Sequence, residues 1–131
     1  MSELQILLIE DNPADIVLTR EALAGYPVPI SLHIARDGED ALAMLSDHKF
    51  HPDLIILDLN MPKVDGHTLL TQCRRRDVPI VIFSSTQNLM EVRRSLSLGA
   101  SEYVLKPIGF DAYVDAVRGI VNRWSGHLAH A

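Results

Sequence analysis

Five short runs of apolar residues are separated along the chain by longer amphipathic stretches. The runs are rich in Ile, Val and Leu and contain almost no polar residues, which is typical of strands in a parallel sheet covered on both faces. We predict strands over residues 4–9, 30–35, 54–57, 80–83 and 103–105.

The stretches between these runs carry apolar residues at helical spacing. A first helix is predicted after Asn12, a good N-cap, with Ile16, Val17, Leu23 and Ala24 facing inward. Further helices are predicted after residues 37, 66 and 88, and a last one over about 110–124. Five strand–helix pairs in strict alternation predict an α/β fold, a doubly wound (βα)5 sandwich with right-handed crossovers.

Length and composition fit one such domain. The chain has 131 residues, of which 47% are hydrophobic and 22% charged, so it can bury an ordinary core. We predict a single domain over 1–131, with its core at about 3–124, a short C-terminal tail over 125–131 and no effector domain.

The net charge and the cysteine content limit which classes of partner and which cellular compartment are expected. A formal charge of −5 disfavours nucleic acid and anionic membrane surfaces as partners. No apolar run approaches the roughly 18 residues of a membrane span. Because Cys73 is the single cysteine, an internal disulfide is excluded. We therefore expect a soluble, cytoplasmic protein.

Polar side chains follow four of the five predicted strands. In an open parallel sheet, sites form at the carboxyl ends of the strands. A lone acidic residue there is usually a solvated loop position, but successive strand ends that all carry reactive groups predict a site. These groups are Glu10 and Asp11, then Asp58, then Ser84, Ser85 and Thr86, then Lys106 followed by Pro107.

The types of these residues indicate phosphoryl chemistry. Three carboxylates that converge repel one another, so a hard cation is the natural occupant, and oxygen ligands suit Mg²⁺ or Mn²⁺ better than zinc. A lysine and a hydroxyl can bind the oxygens of a phosphoryl group. A carboxylate beside a metal and an ammonium group can act as a nucleophile towards phosphorus.

At this point the sequence resembles the receiver domains of two-component response regulators. The matching segments are LLIEDN at 7–12, DLIILDLNMP at 53–62, DG at 65–66, PIVIFSS at 79–85, GA at 99–100 and YVLKP at 103–107. The resemblance covers about residues 3–124. It implies the flavodoxin-like receiver fold, with a five-stranded parallel sheet in the order 2-1-3-4-5 and helices on both faces.

The resemblance also implies a role for each site residue. Asp58 is the expected phosphoacceptor, assisted by Lys106 and Ser84. Mg²⁺, for which Mn²⁺ can substitute, would be held by Asp11, by Asp58, by Glu10 through water and by the backbone carbonyl of Asn60.

The resemblance assigns further positions to the conformational switch that follows phosphorylation and to the lifetime of the phosphorylated state. Ser84 and Tyr103 match the switch pair: phosphorylation would draw the Ser84 hydroxyl towards the phosphoryl group and let Tyr103 turn into the space that it leaves. Asn60 and Thr86 match positions that influence the lifetime of the phosphorylated state. A cis peptide bond is expected between Lys106 and Pro107.

The family's partners are sensor histidine kinases. A narrower resemblance, to stand-alone regulators paired with bacterial phytochromes, is carried by DNPAD at 11–15, LTREAL at 18–23 and Trp124. It suggests a bacteriophytochrome as the kinase, and a homodimer through helix 4, strand 5 and helix 5. The residues considered for that dimer face are Tyr113, Val117 and Trp124, although Trp124 fits the edge of the core equally well. The downstream protein is not identified by the sequence.

Three other functions compete with this interpretation. A phosphorelay intermediate or phosphate sink would use the same chemistry. An aspartate-nucleophile phosphatase needs an acid two residues after its nucleophile, where this chain has Asn60. A flavodoxin-like cofactor binder needs a glycine-rich phosphate loop, and residues 84–88 contain no glycine. Beyond autophosphorylation from small phosphodonors and autodephosphorylation, we expect no enzymatic activity.

Overall fold

Strands and helices alternate throughout the computed structural model, which describes residues 3–59, 66–73, 77–86 and 88–129, with side chains up to residue 125. The strands are β1 (Leu4–Ile9), β2 (Ile30–Ala35), β3 (Leu54–Leu57), β4 (Ile80–Ser84) and β5 (Glu102–Leu105). The helices are α1 (Pro13–Ala24), α2 (Gly38–Ser46), α3 (Gly66–Cys73), α4 (Leu89–Ser97) and α5 (Phe110–Ala129). The predicted alternation is confirmed, and β4 and β5 are each one residue longer than predicted.

The five strands form one parallel sheet in the order β2-β1-β3-β4-β5. Strand β1 lies inside the sheet and pairs with both β2 and β3. The predicted doubly wound topology is therefore confirmed. Because all strands point the same way, their carboxyl ends meet along one edge of the sheet.

Each central strand is buried on both faces, which explains its continuous apolar sequence. Ile6 and Leu8 of β1 pack into a core beneath α1 and α5. Leu7 and Ile9, the alternate residues, pack into a second core beneath α2 and α3. No helix within the described residues is long and apolar enough to cross a membrane.

The inward face of α1 differs in part from the prediction. Ile16 and Leu23 are buried as expected, but Val17 is 56% exposed and Ala24 is also exposed. Thr19 takes an inward position instead. Its hydroxyl donates to the backbone oxygen of Asp15 at 2.9 Å, which satisfies a polar group that burial would otherwise destabilise.

The predicted dimer face on α5 is wrong for two of its three residues. Tyr113 is 3% exposed and Val117 is fully buried, because this side of α5 packs on α1 and the sheet. Side chains inside the core cannot contact another subunit. Trp124 lies at the edge of this core, and its indole N–H donates to the carboxylate of Glu102 at 2.9 Å. The core-edge interpretation of Trp124 is the one that the structure supports.

Candidate functional site

Backbone hydrogen bonds beyond the strands place the predicted site residues along the carboxyl edge of the sheet. The amide of Glu10 donates to Ala35 at 3.0 Å, and the amide of Asp58 donates to Ile9, also at 3.0 Å. The amide of Lys106 donates to the oxygen of Ser84 at 2.7 Å. The parallel ladder thus continues past β1, β3 and β5, so the first polar residue after each of these three strands is fixed by a backbone hydrogen bond to the neighbouring strand.

Three carboxylates meet at this edge. Glu10, Asp11 and Asp58 each place a carboxylate oxygen within 4.8 Å of the others. Glu10 is 1% exposed and Asp58 is 6% exposed, whereas Asp11 is partly open to solvent. Like charges so close together and so poorly hydrated raise the free energy of the folded state unless cations compensate them.

Lys106 supplies one such cation. Its ammonium nitrogen, Nζ, lies 2.6 Å from Glu10, 2.8 Å from Asp15 and 3.3 Å from Asp58. The contact with Asp15 was not predicted. Asp15 lies in the first turn of α1, where acidic residues are common because they interact favourably with the helix dipole. The feature of the sequence that could have indicated Asp15 is its position four residues after Asp11, in the helix that begins at the carboxyl edge of the sheet.

The pKa values of the site reflect burial and crowding. Burial, followed by the hydrogen bond and charge of Asp58, raises the pKa of Glu10 from 4.5 to about 7 despite the opposing effect of Lys106. Burial alone would lower the pKa of Lys106. Hydrogen bonds to Asp15 and Glu10 and the charges of Asp58 and Glu10 outweigh that effect and raise it above the ordinary range for lysine. The lysine is therefore a fixed cation, while Glu10 holds a proton easily when no metal is bound.

The donor set fits a hard divalent cation. All three clustered side chains offer carboxylate oxygens, the ligands that Mg²⁺ and Mn²⁺ prefer. Partial exposure of Asp11 leaves a side open for water, which Mg²⁺ usually retains. Asn60, predicted as a carbonyl ligand and as a modulator of lifetime, lies outside the described residues.

The predicted switch residues lie next to one another. Ser84 is fully buried, and its hydroxyl oxygen accepts from the amide of Thr86 at 3.3 Å. The hydroxyl of Tyr103 donates to the backbone oxygen of Thr86 at 3.1 Å. Burial raises the pKa of Tyr103, so it remains a neutral hydrogen-bond donor. Thr86 thus links the two switch positions.

The expected cis bond between Lys106 and Pro107 is wrong: no peptide bond is cis in the part of the chain that the structure describes. The trans form of an X–Pro bond is favoured by about 0.5–1 kcal/mol unless packing selects the other isomer. Ile108, one residue on, is 99% exposed, and Phe110 is largely exposed as well.

A cleft of about 500 Å³ lies between the start of α1 and the segment that follows β5. Asp15 and Lys106 are on its wall, together with Ser85 and Ile108. The Lys106 side of the site therefore borders a cleft that opens to solvent.

Comparison with known proteins places the chain in a family. A model of the response regulator receiver domain matches residues 6–118. The probable methanogenesis regulatory protein FilR2 of Methanothrix harundinacea is 33% identical over 129 residues, which is 92% of this chain and 83% of that protein. The chain spans about half the length of several other curated relatives that it matches.

Two solved structures are similar over nearly the whole fold. One is the phosphorylated cyanobacterial phytochrome response regulator RcpA, with a TM-score of 0.89, 34% identity and coverage of 99% of this chain and 97% of that chain. The other is the Mn²⁺-bound form of response regulator Rcp1, with a TM-score of 0.83, 32% identity and coverage of 92% and 93%. Rcp1 is a protein of a Synechocystis species.

Proposed function

Because the chain belongs to the response regulator receiver family, we propose that it accepts a phosphoryl group on Asp58 from a sensor histidine kinase and signals through protein contacts. One observation carries the proposal: Asp58 lies within 4.8 Å of Glu10 and Asp11 and 3.3 Å from the ammonium of Lys106. A nucleophile, a cation-binding group and a fixed positive charge, which follow three different strands, thus converge at the carboxyl edge of the sheet. Receiver domains are regulators rather than enzymes with substrates of their own.

In the proposed reaction, a carboxylate oxygen of Asp58 attacks the phosphorus of the donor. A new O–P bond forms as the bond to the leaving group breaks, and that group, the imidazole of a kinase histidine or an acetate, takes the electron pair. Lys106 stabilises the negative charge on the phosphoryl oxygens through a charge-assisted hydrogen bond. When bound, Mg²⁺ supplies further charge neutralisation. Asp11, Asp58, Glu10 through water, and the carbonyl of Asn60 are its proposed ligands.

The output proposed for this reaction is a change in the surface formed by α4, β5 and α5. Tyr103 in β5 is already tied through Thr86 to the end of β4, where Ser84 lies. A phosphoryl group that draws in the Ser84 hydroxyl would therefore change the position of Thr86, and with it the hydrogen bond of Tyr103. Thr86, with Asn60, is also proposed to influence the lifetime of the phosphorylated state.

The proposed partners follow from the relatives. Likeness to a phytochrome response regulator supports a bacteriophytochrome as the kinase. A homodimer through α4, β5 and α5 is part of the proposal, with the exposed apolar residues Leu89 and Met90 of α4 available for contact. Roles as a phosphorelay intermediate or phosphate sink would use the same chemistry. A cytoplasmic location is also proposed, because a single cysteine without an internal disulfide is usual in reducing compartments.

The test is intact mass spectrometry after incubation with acetyl phosphate, with Mg²⁺ or with EDTA. We expect the wild type to gain one phosphoryl group only with Mg²⁺, and Asp58→Asn to gain none. Asp111→Asn removes the same charge from an exposed position at the start of α5 and should behave as the wild type. An adduct that persists in Asp58→Asn would show that another residue is the acceptor.

A further inference from the structure

The ammonium of Lys106 has no hydrogen left to offer. A lysine ammonium carries three N–H donors, and in this structure three carboxylates accept from it. The distances are 2.6 Å to Glu10, 2.8 Å to Asp15 and 3.3 Å to Asp58. The longest contact is the one with the proposed phosphoacceptor. A phosphoryl oxygen on Asp58 must therefore take a hydrogen that a carboxylate now accepts, and a short hydrogen bond to it requires the ammonium to move away from Glu10 or Asp15.

Asp15 differs from the other two acceptors in its surroundings. The clustered carboxylates found among the described residues are those of Glu10, Asp11 and Asp58, so Asp15 is outside the group that fits a metal. Its side chain is also more open to water, at 21% exposed against 2% for Glu10. Releasing Asp15 to solvent therefore costs less than releasing Glu10, which is enclosed.

The backbone of Asp15 is nevertheless held firmly. Its amide donates to the side-chain oxygen of Asn12 at 3.3 Å, as part of the N-cap of α1. Its backbone oxygen accepts from the hydroxyl of Thr19 at 2.9 Å. The carboxylate is thus presented to Lys106 from a fixed helix turn, on the wall of the cleft that borders the site.

We propose that Asp15 is a positioning residue that competes with Asp58 for the ammonium of Lys106 in the unphosphorylated protein, keeps the contact between Lys106 and Asp58 long, and so slows phosphorylation of Asp58. The inference rests on the proposed function. In this proposal the full contact between Lys106 and Asp15 exists only before phosphorylation. The contact therefore stabilises the unphosphorylated state and not the phosphorylated one. A ligand or partner that engages Asp15 in the cleft would free Lys106 and favour phosphoryl transfer.

The decisive variant is Asp15→Asn, which keeps the size of the side chain and removes its charge. We expect the rate of phosphorylation by acetyl phosphate, and the affinity for beryllofluoride with Mg²⁺, to rise by about threefold to tenfold, as for loss of one ordinary hydrogen bond, because the Asp15 carboxylate is partly hydrated. Asp15→Glu keeps the charge and should remain close to the wild type. Asp111→Asn controls for net charge and should also leave both quantities unchanged.

A readout on the unphosphorylated, metal-free protein separates positioning from general damage. In NMR spectra of lysine side-chain ammonium groups, Asp15→Asn should speed the hydrogen exchange of Lys106, while Asp111→Asn should not. Asp15→Ser, a smaller residue that a first helical turn also accepts, is measured in parallel so that a folding defect in one variant does not decide the result.

Two results would contradict the inference. One is a folded Asp15→Asn that is phosphorylated no faster than the wild type. The other is an Asp111→Asn variant whose phosphorylation is accelerated as much as that of Asp15→Asn, because the effect would then be due to the net charge of the protein. A wild type that gains no phosphoryl group overturns the proposed function itself, and the inference with it.

Discussion

Polar groups are arranged differently at the two edges of the sheet: the amino edge, where the strands begin, and the carboxyl edge, where they end. At the amino edge, Gln5 and Asp53 exchange two hydrogen bonds, from the Gln5 amide to the Asp53 carboxylate at 2.8 Å and from the Asp53 amide to the Gln5 oxygen at 2.7 Å. Ile80 and Ser101 exchange two in the same way, at 3.1 and 2.7 Å. Each of these four donors meets an acceptor, and the two pairs link neighbouring chain segments where the strands begin.

At the carboxyl edge, acceptors outnumber the cation that faces them. The carboxylates of Glu10, Asp11 and Asp58 crowd together, and Lys106 divides its ammonium among Glu10, Asp58 and a helical residue, Asp15. Such an arrangement destabilises the free protein and leaves a surplus of negative charge that a cation can neutralise. The hydrogen bonds at the amino edge therefore stabilise the fold, whereas the carboxylates at the carboxyl edge provide a site that fits a cation.

The largest expected effect is on metal affinity. Asp11→Asn should weaken Mg²⁺ binding by more than about 100-fold, because loss of even an indirect metal contact typically costs 10–100-fold. Asp53→Asn removes a carboxylate from the amino edge and should leave Mg²⁺ affinity unchanged. Isothermal titration calorimetry measures both. Equal losses in the two variants would mean that total charge, not the site, determines affinity.

The next effect is the pH dependence of stability in the metal-free protein. Since burial and Asp58 raise the pKa of Glu10 from 4.5 to about 7, the folded state keeps a proton there that the unfolded state has already released. The free energy of unfolding should therefore fall as pH rises through this interval, by about 1–2 kcal/mol after allowance for relaxation of the site.

Urea unfolding in EDTA at pH 5 and pH 7.5 measures this change. Glu10→Gln cannot titrate and should lack that part of the pH dependence, so the difference between the two proteins isolates Glu10. Saturating Mg²⁺ should reduce the difference, because a bound cation favours the carboxylate form in the folded state. A wild type whose stability rises over this range relative to Glu10→Gln would contradict the assigned direction.

The carboxyl edge could be located from the sequence because strands that are buried on both faces of a parallel sheet have continuous apolar sequences. Continuous apolar runs defined the strands to within a residue, and the rule that sites lie at carboxyl ends selected Glu10, Asp58 and Lys106. The contact between Lys106 and Asp15 was missed. It depends on how far a lysine side chain reaches across to a helix, and residue spacing carries no such distance.

The errors on α1 and α5 have a related cause. Helical spacing shows that Tyr113 and Val117 share a face, but not whether that face meets the sheet or a second subunit. On α1, Thr19 is buried and Val17 exposed because a threonine can satisfy its hydroxyl within the helix. Hydropathy alone ranks these two residues the other way.

A smaller effect is expected from the amino edge. Asp53→Ala removes the acceptor of the Gln5 amide and should cost about 1 kcal/mol of unfolding free energy, a typical value for one such hydrogen bond. The rate of phosphorylation should not change. Asp115→Ala, at an exposed position in the second turn of α5, is the matched control and should change stability less. A phosphorylation defect in Asp53→Ala would mean that the two edges are coupled.

The smallest expected effect is that of Tyr103→Phe, which removes one hydrogen bond to the backbone oxygen of Thr86. Because Tyr103 is half-buried, we expect a loss of about 0.5 kcal/mol in the unphosphorylated protein. A residue with a purely structural role would show the same loss with beryllofluoride bound. If Tyr103 reports the state of the site, the loss must differ between the two forms, since phosphorylation would alter the Thr86 segment to which it bonds. Urea unfolding of both proteins in both forms gives this difference directly, and a difference of zero would limit the role of Tyr103 to packing.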